Sequence, residues 1–333
     1  MSTSPALEVD DLHVTFGSGD RSVHAVRGVS LELARGEILG IVGESGCGKS
    51  TTTLAIPRLL TGSVTVRARR VTVAGVDVTK PDDKTLSAVR GRRIGMVFQD
   101  PTSSLNPSMT IGKQIAETLR LHLGLDRVQA MERAVELLRE VGIPDASLRV
   151  KEFPHRLSGG QRQRVMIAIA VACRPAVVIA DEATTALDVT VQAEILDLLR
   201  RLRDDAGTAL IIVTHDLGVV GDFADRVAVM YAGRVVESGP VRDVISRPSH
   251  PYTEALLACA PRLGASSHGI RPIDGSPPDL SRPIVGCAFA DRCQRRTERC
   301  SQEDPALTPD AVHQVACWNP VGRDGDGAAR RLQ

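Results

Sequence analysis

The stretch Gly43-Glu44-Ser45-Gly46-Cys47-Gly48-Lys49-Ser50-Thr51 constrains this chain more than any other, because it fits G-x-x-x-x-G-K-[ST] in a telling context. Ile38 to Val42 before it is continuously apolar, as a buried strand is, and Ser50 to Leu60 after it has helical spacing. Strand, glycine-rich turn and helix in that order make a cradle for phosphate. Glycines 43, 46 and 48 let the backbone turn its N–H groups inward, and the helix adds its positive N-terminal end. Lys49 is expected to reach the β- and γ-phosphates of a nucleotide, Ser50 to offer its hydroxyl to Mg²⁺, and Thr51 to face the α-phosphate. Ser45, Gly46, Cys47 and Gly48 line the same turn, with Cys47 read as a small filler whose alkylation would block the site.

Val177-Val178-Ile179-Ala180-Asp181-Glu182 is a second apolar strand, ending in two acids. Such an ending delivers a carboxylate to the Mg²⁺ shell at a strand's C-terminal edge, so Asp181 is the expected shell residue and Glu182 the general base for an attacking water. Taken alone, an acidic pair after a strand more often caps a helix. The phosphate loop upstream favours the catalytic reading.

The rest of the chain supplies an α/β frame. Short β-like runs from Leu7 to Glu37 suggest antiparallel strands, and Ile94 to Phe98 another strand. Helical candidates follow at Ile111 to His122 and Arg127 to Val141, forming a helical insertion. Gln161 to Cys173, Val177 to Ala180, Val189 to Arg203 and Ala209 to Val213 then alternate helix and strand, which implies a parallel sheet wrapped by helices. Arg226 to Met230 and Arg234 to Glu237 flank Ala232-Gly233 as a closing hairpin. A first domain is placed at residues 1–246, with the helical part at about 100–172; an irregular module rich in Pro, Gly, Cys and Arg at 247–320; and a disordered tail at 321–333.

A net charge of +1 gives no general handle for nucleic acid or anionic lipid. No apolar run reaches the ~20 residues needed to span a bilayer, and the N-terminus carries no secretory signal pattern, so the chain is expected in the cytoplasm.

Leu157-Ser158-Gly159-Gly160-Gln161 separates the two acid- and phosphate-binding motifs, and here the sequence resembles the ABC ATPases, whose signature is L-S-G-G-Q. The resemblance implies a P-loop NTPase (ABC ATPase) α/β core with an N-terminal antiparallel β subdomain and a helical subdomain. It implies ATP and Mg²⁺ as ligands and a second ATPase subunit, since Ser158, Gly159, Gly160 and Gln161 would contact the γ-phosphate of ATP held by the other subunit. Gln99 looks like the Q-loop glutamine, which would contact Mg²⁺ and the attacking water, Ala186-Leu187-Asp188 like the D-loop, and His215 like the switch histidine that contacts the γ-phosphate. Phe16 matches the aromatic that stacks on adenine, with a buried strand residue as the alternative. Ala183 is a departure, since this subgroup typically has proline after the second acid.

Phe98-Gln99-Asp100-Pro101-Thr102-Ser103-Ser104-Leu105-Asn106-Pro107 and Thr184-Thr185-Ala186-Leu187-Asp188-Val189-Thr190-Val191-Gln192 narrow the likeness to the oligopeptide/dipeptide (peptide/nickel) importer ATPases. His250-Pro251-Tyr252-Thr253, Gly286-Cys287-Ala288-Phe289, Arg292-Cys293 and Cys317-Trp318 resemble that branch's C-terminal extension. The likeness implies a peripheral subunit on the cytoplasmic face of the membrane, working under two permeases fed by an extracytoplasmic binding protein. The second ATPase would be a related subunit or a copy of this one. Cargo other than peptide, such as nickel or another small solute, stays open. Cys287, Cys293, Cys300 and Cys317 are four soft ligands in a segment poor in regular structure. By resemblance they would hold a four-iron, four-sulfur (4Fe-4S) cluster, with zinc or free thiols as alternatives. A non-transport ABC ATPase of DNA maintenance or phosphonate degradation is the rival reading, opposed by the absence of a basic stripe and by the cysteine-bearing extension. A nucleotide-binding regulator without turnover is opposed by Glu182 and His215.

Overall fold

The protein is seen in a computed structural model that describes residues 4–19, 22–183, 188–259, 273–308 and 311–322. Its strands are β1 (Leu7–Phe16), β2 (Val23–Leu33), β3 (Ile38–Val42), β4 (Val64–Arg67), β5 (Arg70–Val73), β6 (Val76–Asp77), β7 (Ile94–Val97), β8 (Val177–Asp181), β9 (Ala209–Thr214), β10 (Arg226–Tyr231), β11 (Arg234–Pro240) and β12 (Gln314–Val315). Its helices are α1 (Lys49–Ala55), α2 (Asp83–Val89), α3 (Pro101–Ser104), α4 (Ile111–Leu123), α5 (Arg127–Glu140), α6 (Ala146–Arg149), α7 (Gly159–Val171), α8 (Val189–Ala206), α9 (Leu217–Phe223), α10 (Val241–Ser246) and α11 (Pro251–Cys259).

The larger sheet runs β12-β11-β10-β3-β9-β8-β7, parallel from β10 to β7 and antiparallel at β11 and β12. The continuous apolar runs of β3, β8 and β9 are explained by burial of every residue in them. Each strand divides its side chains between two cores by simple alternation. Ile38, Val42, Val178, Ala180, Leu210 and Ile212 face the core under α4, α5, α7 and α8. Leu39, Ile41, Val177, Ile179, Ile211 and Val213 face the core shared with α1 and the second sheet. That second sheet is antiparallel, in the order β2-β1-β5-β6 with β4 also on β1. The expected N-terminal antiparallel strands and helical insertion are therefore both present.

Two expectations needed correction. The helix drawn from Ser50 to Leu60 ends at Ala55, and Arg58 takes φ 57° beyond it, which an α-helix cannot accommodate. The region after Ser246 contains more regular structure than its composition suggested. It supplies α11, and its β12 joins the large sheet through Glu237 with Val315 and Ser238 with Gln314. A sheet edge left open by β11 is thereby paired, which removes unpartnered backbone groups that would otherwise face solvent. Residues 184–187 of the D-loop segment, including Ala186 and Leu187, and 323–333 of the expected tail lie outside the described residues. Among the described residues no helix is long and apolar enough to cross a membrane.

Candidate nucleotide site

Four neighbouring parallel strands, β3, β9, β8 and β7, end on one edge of the sheet, and the candidate residues come from the turns that follow them. The turn after β3 is the phosphate loop. Gly43 takes φ 154° and Gly48 φ 102°. A Cβ on Gly43 would lie 2.3 Å from the Met230 carbonyl oxygen, and one on Gly48 would lie 2.5 Å from that of Ala25. The loop therefore presses its backbone against two strands, which only glycine permits. Lys49, 4% exposed, donates from Nζ to the carbonyls of Gly43 at 2.8 Å and Glu44 at 3.0 Å, so the cation lies along the inside of the loop. Cys47 is buried, and burial raises its thiol pKa, as fits a small packing group. Ser45 and Gly46 are exposed at the rim, Thr51 is half-buried in the first turn of α1, and Phe16 is half-buried at the end of β1.

Ser50 donates from Oγ to Asp181 Oδ1 at 2.9 Å, joining the start of α1 to the end of β8. Asp181 is buried, and that burial raises its carboxyl pKa, with the Ser50 hydroxyl and Lys49 acting the other way. A hydroxyl and a carboxylate at this spacing are a pair of hard oxygen donors suited to Mg²⁺. Glu182 has φ 44°, a left-handed conformation uncommon for a side chain of this size, and its N–H donates to Val213 O at 3.0 Å. The kink turns the carboxylate out of the strand. Gln99 Nε2 donates to Glu182 Oε2 at 2.8 Å, and His215 Nδ1 lies 3.7 Å from Glu182 Oε1, beyond hydrogen-bond distance. Gln99 and His215 are exposed while Glu182 is largely covered. The edge thus carries an anion cradle, an oxygen pair for a cation and a carboxylate that can take a proton from water.

Ser158, Gly159, Gly160 and Gln161 stand apart from this cluster at the start of α7. Ser158 Oγ accepts from the Gln161 N–H at 3.2 Å and Gln161 Oε1 accepts from the Ser158 N–H at 3.1 Å, a reciprocal cap. Asp188 caps α8 in the same manner, accepting from the Val191 N–H at 3.0 Å. Among the described residues no hydrogen bond joins 158–161 or Asp188 to the phosphate loop.

The four late cysteines come from three stretches that the fold draws together. The Cys287 N–H donates to Cys300 O at 2.8 Å. Burial pushes the Cys317 thiol up to about 11, opposed by the Asn319 N–H and reinforced by Cys287, Cys293 and Cys300. Burial likewise pushes Cys287 up to about 11 and raises Cys293. None of the four is in a disulfide. Among the described residues, however, no group of three or more His, Cys, Asp or Glu side chains is arranged to hold a metal ion.

Three residues around the loop make contacts that their motifs did not foretell, two of them, Tyr252 and Arg292, from the stretches that resemble the C-terminal extension. Glu44 inside the loop is bound by Arg292, and its N–H donates to the Tyr252 hydroxyl at 2.8 Å. Their sequence separation from Glu44, 248 and 208 residues, left no periodic signal to read. Glu237 on β11 was also missed, because one acid in a strand has no distinctive neighbours in sequence.

Comparison with known proteins agrees with this geometry. Residues 26–185 match the family model described as ABC transporter, and residues 236–300 match that of the oligopeptide/dipeptide transporter C-terminal region. The chain is 46% identical over 314 residues to the dipeptide transport ATP-binding protein DppD of Bacillus subtilis, covering 94% of each. Among solved structures, the ATP-binding cassette MJ0796, described as a dimer bound to ADP and Pi after hydrolysis, matches with a TM-score of 0.62 at 29% identity. That match spans 71% of this chain and 99% of the other. The structure of cbiO1 from Clostridium perfringens, part of the transporter complex cbiONQ, matches with a TM-score of 0.62 at 29% identity, over 74% of this chain and 92% of that one.

Proposed function

The chain belongs to the ABC transporter ATP-binding family and is an ATPase coupled to transport, and from that premise we propose that it powers import of di- or oligopeptides through two membrane permeases. The observation that carries this reading is the gathering of Lys49, Ser50, Asp181, Glu182, Gln99 and His215 on one sheet edge, in a chain that also bears the peptide-transporter C-terminal region. Lys49 and the N–H groups of the loop bind the β- and γ-phosphates of MgATP, with Ser50 and Asp181 supplying oxygens to its Mg²⁺. Glu182 accepts the proton of the water that attacks the γ-phosphorus; the bond to the β-phosphate oxygen breaks and ADP leaves. Gln99 orients Glu182 and the water, and His215 contacts the γ-phosphate. Phe16 would stack on the base.

Since Ser158, Gly159, Gly160 and Gln161 cap their own helix away from the loop, they act on ATP held by a second ATPase subunit, related or identical. Exposed N–H groups at a helix start suit an anion. Asp188, the cap of α8, serves the same inter-subunit site as the D-loop aspartate. Closure of the pair around two nucleotides then moves permeases at the cytoplasmic face of the membrane, with cargo delivered by an extracytoplasmic binding protein. The test is uptake by vesicles containing this chain, its permeases and the receptor. Labelled peptide should enter only with ATP on this subunit's side; uptake of nickel or another solute but not peptide would reassign the cargo, and stable association only with soluble enzymes or DNA would end the transport reading.

We also infer that Cys287, Cys293, Cys300 and Cys317 would hold a 4Fe-4S cluster. Support comes from the donor set, four sulfurs without a nitrogen ligand, gathered within mutual electrostatic reach. Such a cluster would staple a segment short of apolar core. Iron and acid-labile sulfide should be found in anaerobically purified protein; zinc, or neither metal, would overturn the assignment.

A further inference from the structure

Glu44 is the acidic side chain of the phosphate loop. An unpaired carboxylate there would repel the triphosphate that Lys49 attracts, and at this range a unit charge is not screened away. The C-terminal region supplies the opposite charge. Arg292 Nη1 donates to Glu44 Oε2 at 2.7 Å and Nη2 to Oε1 at 3.0 Å, a two-pronged pair in which the arginine side chain is 4% exposed.

The guanidinium is itself held from several directions. Nη1 donates to the Tyr231 hydroxyl at 3.2 Å, Nη2 to Ile273 O at 3.2 Å and Nε to Asp274 O at 2.9 Å. It also lies over the rings of Tyr231 and Phe289, at 5.8 and 5.9 Å from their centroids. Both tyrosines of this aromatic-poor chain are committed to this place. Tyr231 and Tyr252 pack with their rings tilted at 53° and centroids 4.6 Å apart, and Phe289 meets each of them edge-on. On that wall rests the backbone of Glu44, its N–H bound by Tyr252 at 2.8 Å while its carbonyl accepts from Lys49 at 3.0 Å. Glu44 is therefore gripped at side chain and N–H by the C-terminal region and at carbonyl by the phosphate-binding lysine.

We propose that Arg292 is a positioning residue for nucleotide binding, neutralising Glu44 and, with Tyr252, holding the first turn of the phosphate loop in the shape Lys49 needs. This rests on the reading of Gly43 to Thr51 as the MgATP site. It gives the C-terminal extension a direct part in the ATP site, and because Cys293 follows Arg292, the thiol-bearing segment is joined to the loop through one side chain.

The test is equilibrium binding of MgATP to the full chain. Arg292→Ala should weaken binding about tenfold, through one uncompensated charge beside the phosphates. Arg292→Lys, which keeps the charge but not the fork, should fall between it and the parent. Adding Glu44→Gln to Arg292→Ala should restore most of the affinity, since the repelling charge is then gone. A purely structural role predicts the opposite, because deleting the second partner cannot rebuild the packing of the first. Arg292→Ala binding like the parent, or the double variant binding no better than Arg292→Ala, would overturn the proposal. If Arg292→Ala does not fold, Arg292→Lys with and without Glu44→Gln makes the same comparison. A parent chain that bound no MgATP would overturn the nucleotide site itself, and the proposal with it.

Discussion

Two glutamates on the large sheet show how differently one side chain can be used. Glu182, just past the end of β8, holds a strained backbone at φ 44°, one hydrogen bond from exposed Gln99 and a histidine 3.7 Å away. Glu237, inside β11, is fully buried and accepts from the Ser249 N–H at 2.7 Å, the His250 N–H at 2.9 Å and His313 Nε2 at 2.6 Å. The first has capacity left for a new partner and stays partly open to solvent. The second has its bonds made and ties the C-terminal region to the sheet. A group that must exchange a proton needs access, whereas a buried group that holds structure needs every polar contact satisfied.

The sharpest way to break this contrast is at Glu182. Glu182→Gln should lower ATP turnover by roughly 10²–10⁴-fold while leaving MgATP binding and the unfolding midpoint near those of the parent. Phosphate-release and binding assays on one preparation check it, and unchanged turnover would remove Glu182 as the base. Glu237→Ala should do the reverse. It leaves two backbone donors and His313 without their acceptor, at a cost of about 3 kcal/mol in folding stability, measurable by denaturant titration. A variant as stable as the parent would mean that the C-terminal region is anchored elsewhere.

The smallest effect sharpens the same seam. His250 is buried between the Tyr252 N–H, which its Nδ1 accepts at 3.0 Å, and the Ala316 carbonyl, and burial holds its pKa down at about 3. The unfolded chain protonates this ring near pH ~6.5 while the folded chain does not. Below that pH the unfolded state binds more protons, so stability falls as pH drops from 6.5 toward 3, by up to about 1.4 kcal/mol per pH unit from this group, and is unaffected above it. Thermal unfolding between pH 7.5 and 5 should show a steeper acid loss for the parent than for His250→Gln, and parallel profiles would refute the assignment.

The phosphate loop and the acidic pair after β8 were legible because their chemistry is contiguous: the residues that bind are neighbours in sequence, and the flanking apolar run announces the strand that positions them. The alternation of apolar and helical stretches likewise marked the parallel sheet. Less was legible beyond Ser246, where composition suggested irregularity and hid β12, a two-residue strand defined by its partner β11. The end of α1 at Ala55 was misjudged for a related reason, since the helical spacing continues to Leu60 while the chain must turn away at Arg58.

By itself, then, the sequence determined the kind of site this chain carries, because glycine freedom, a lysine and strand-end carboxylates act over a few consecutive residues. Only the tertiary structure decided what holds that site in place. Arg292 and Tyr252 reach Glu44 across 248 and 208 residues, and Glu237 collects donors from three later positions. Charge pairing and burial depend on distance in space, and a linear pattern does not record it.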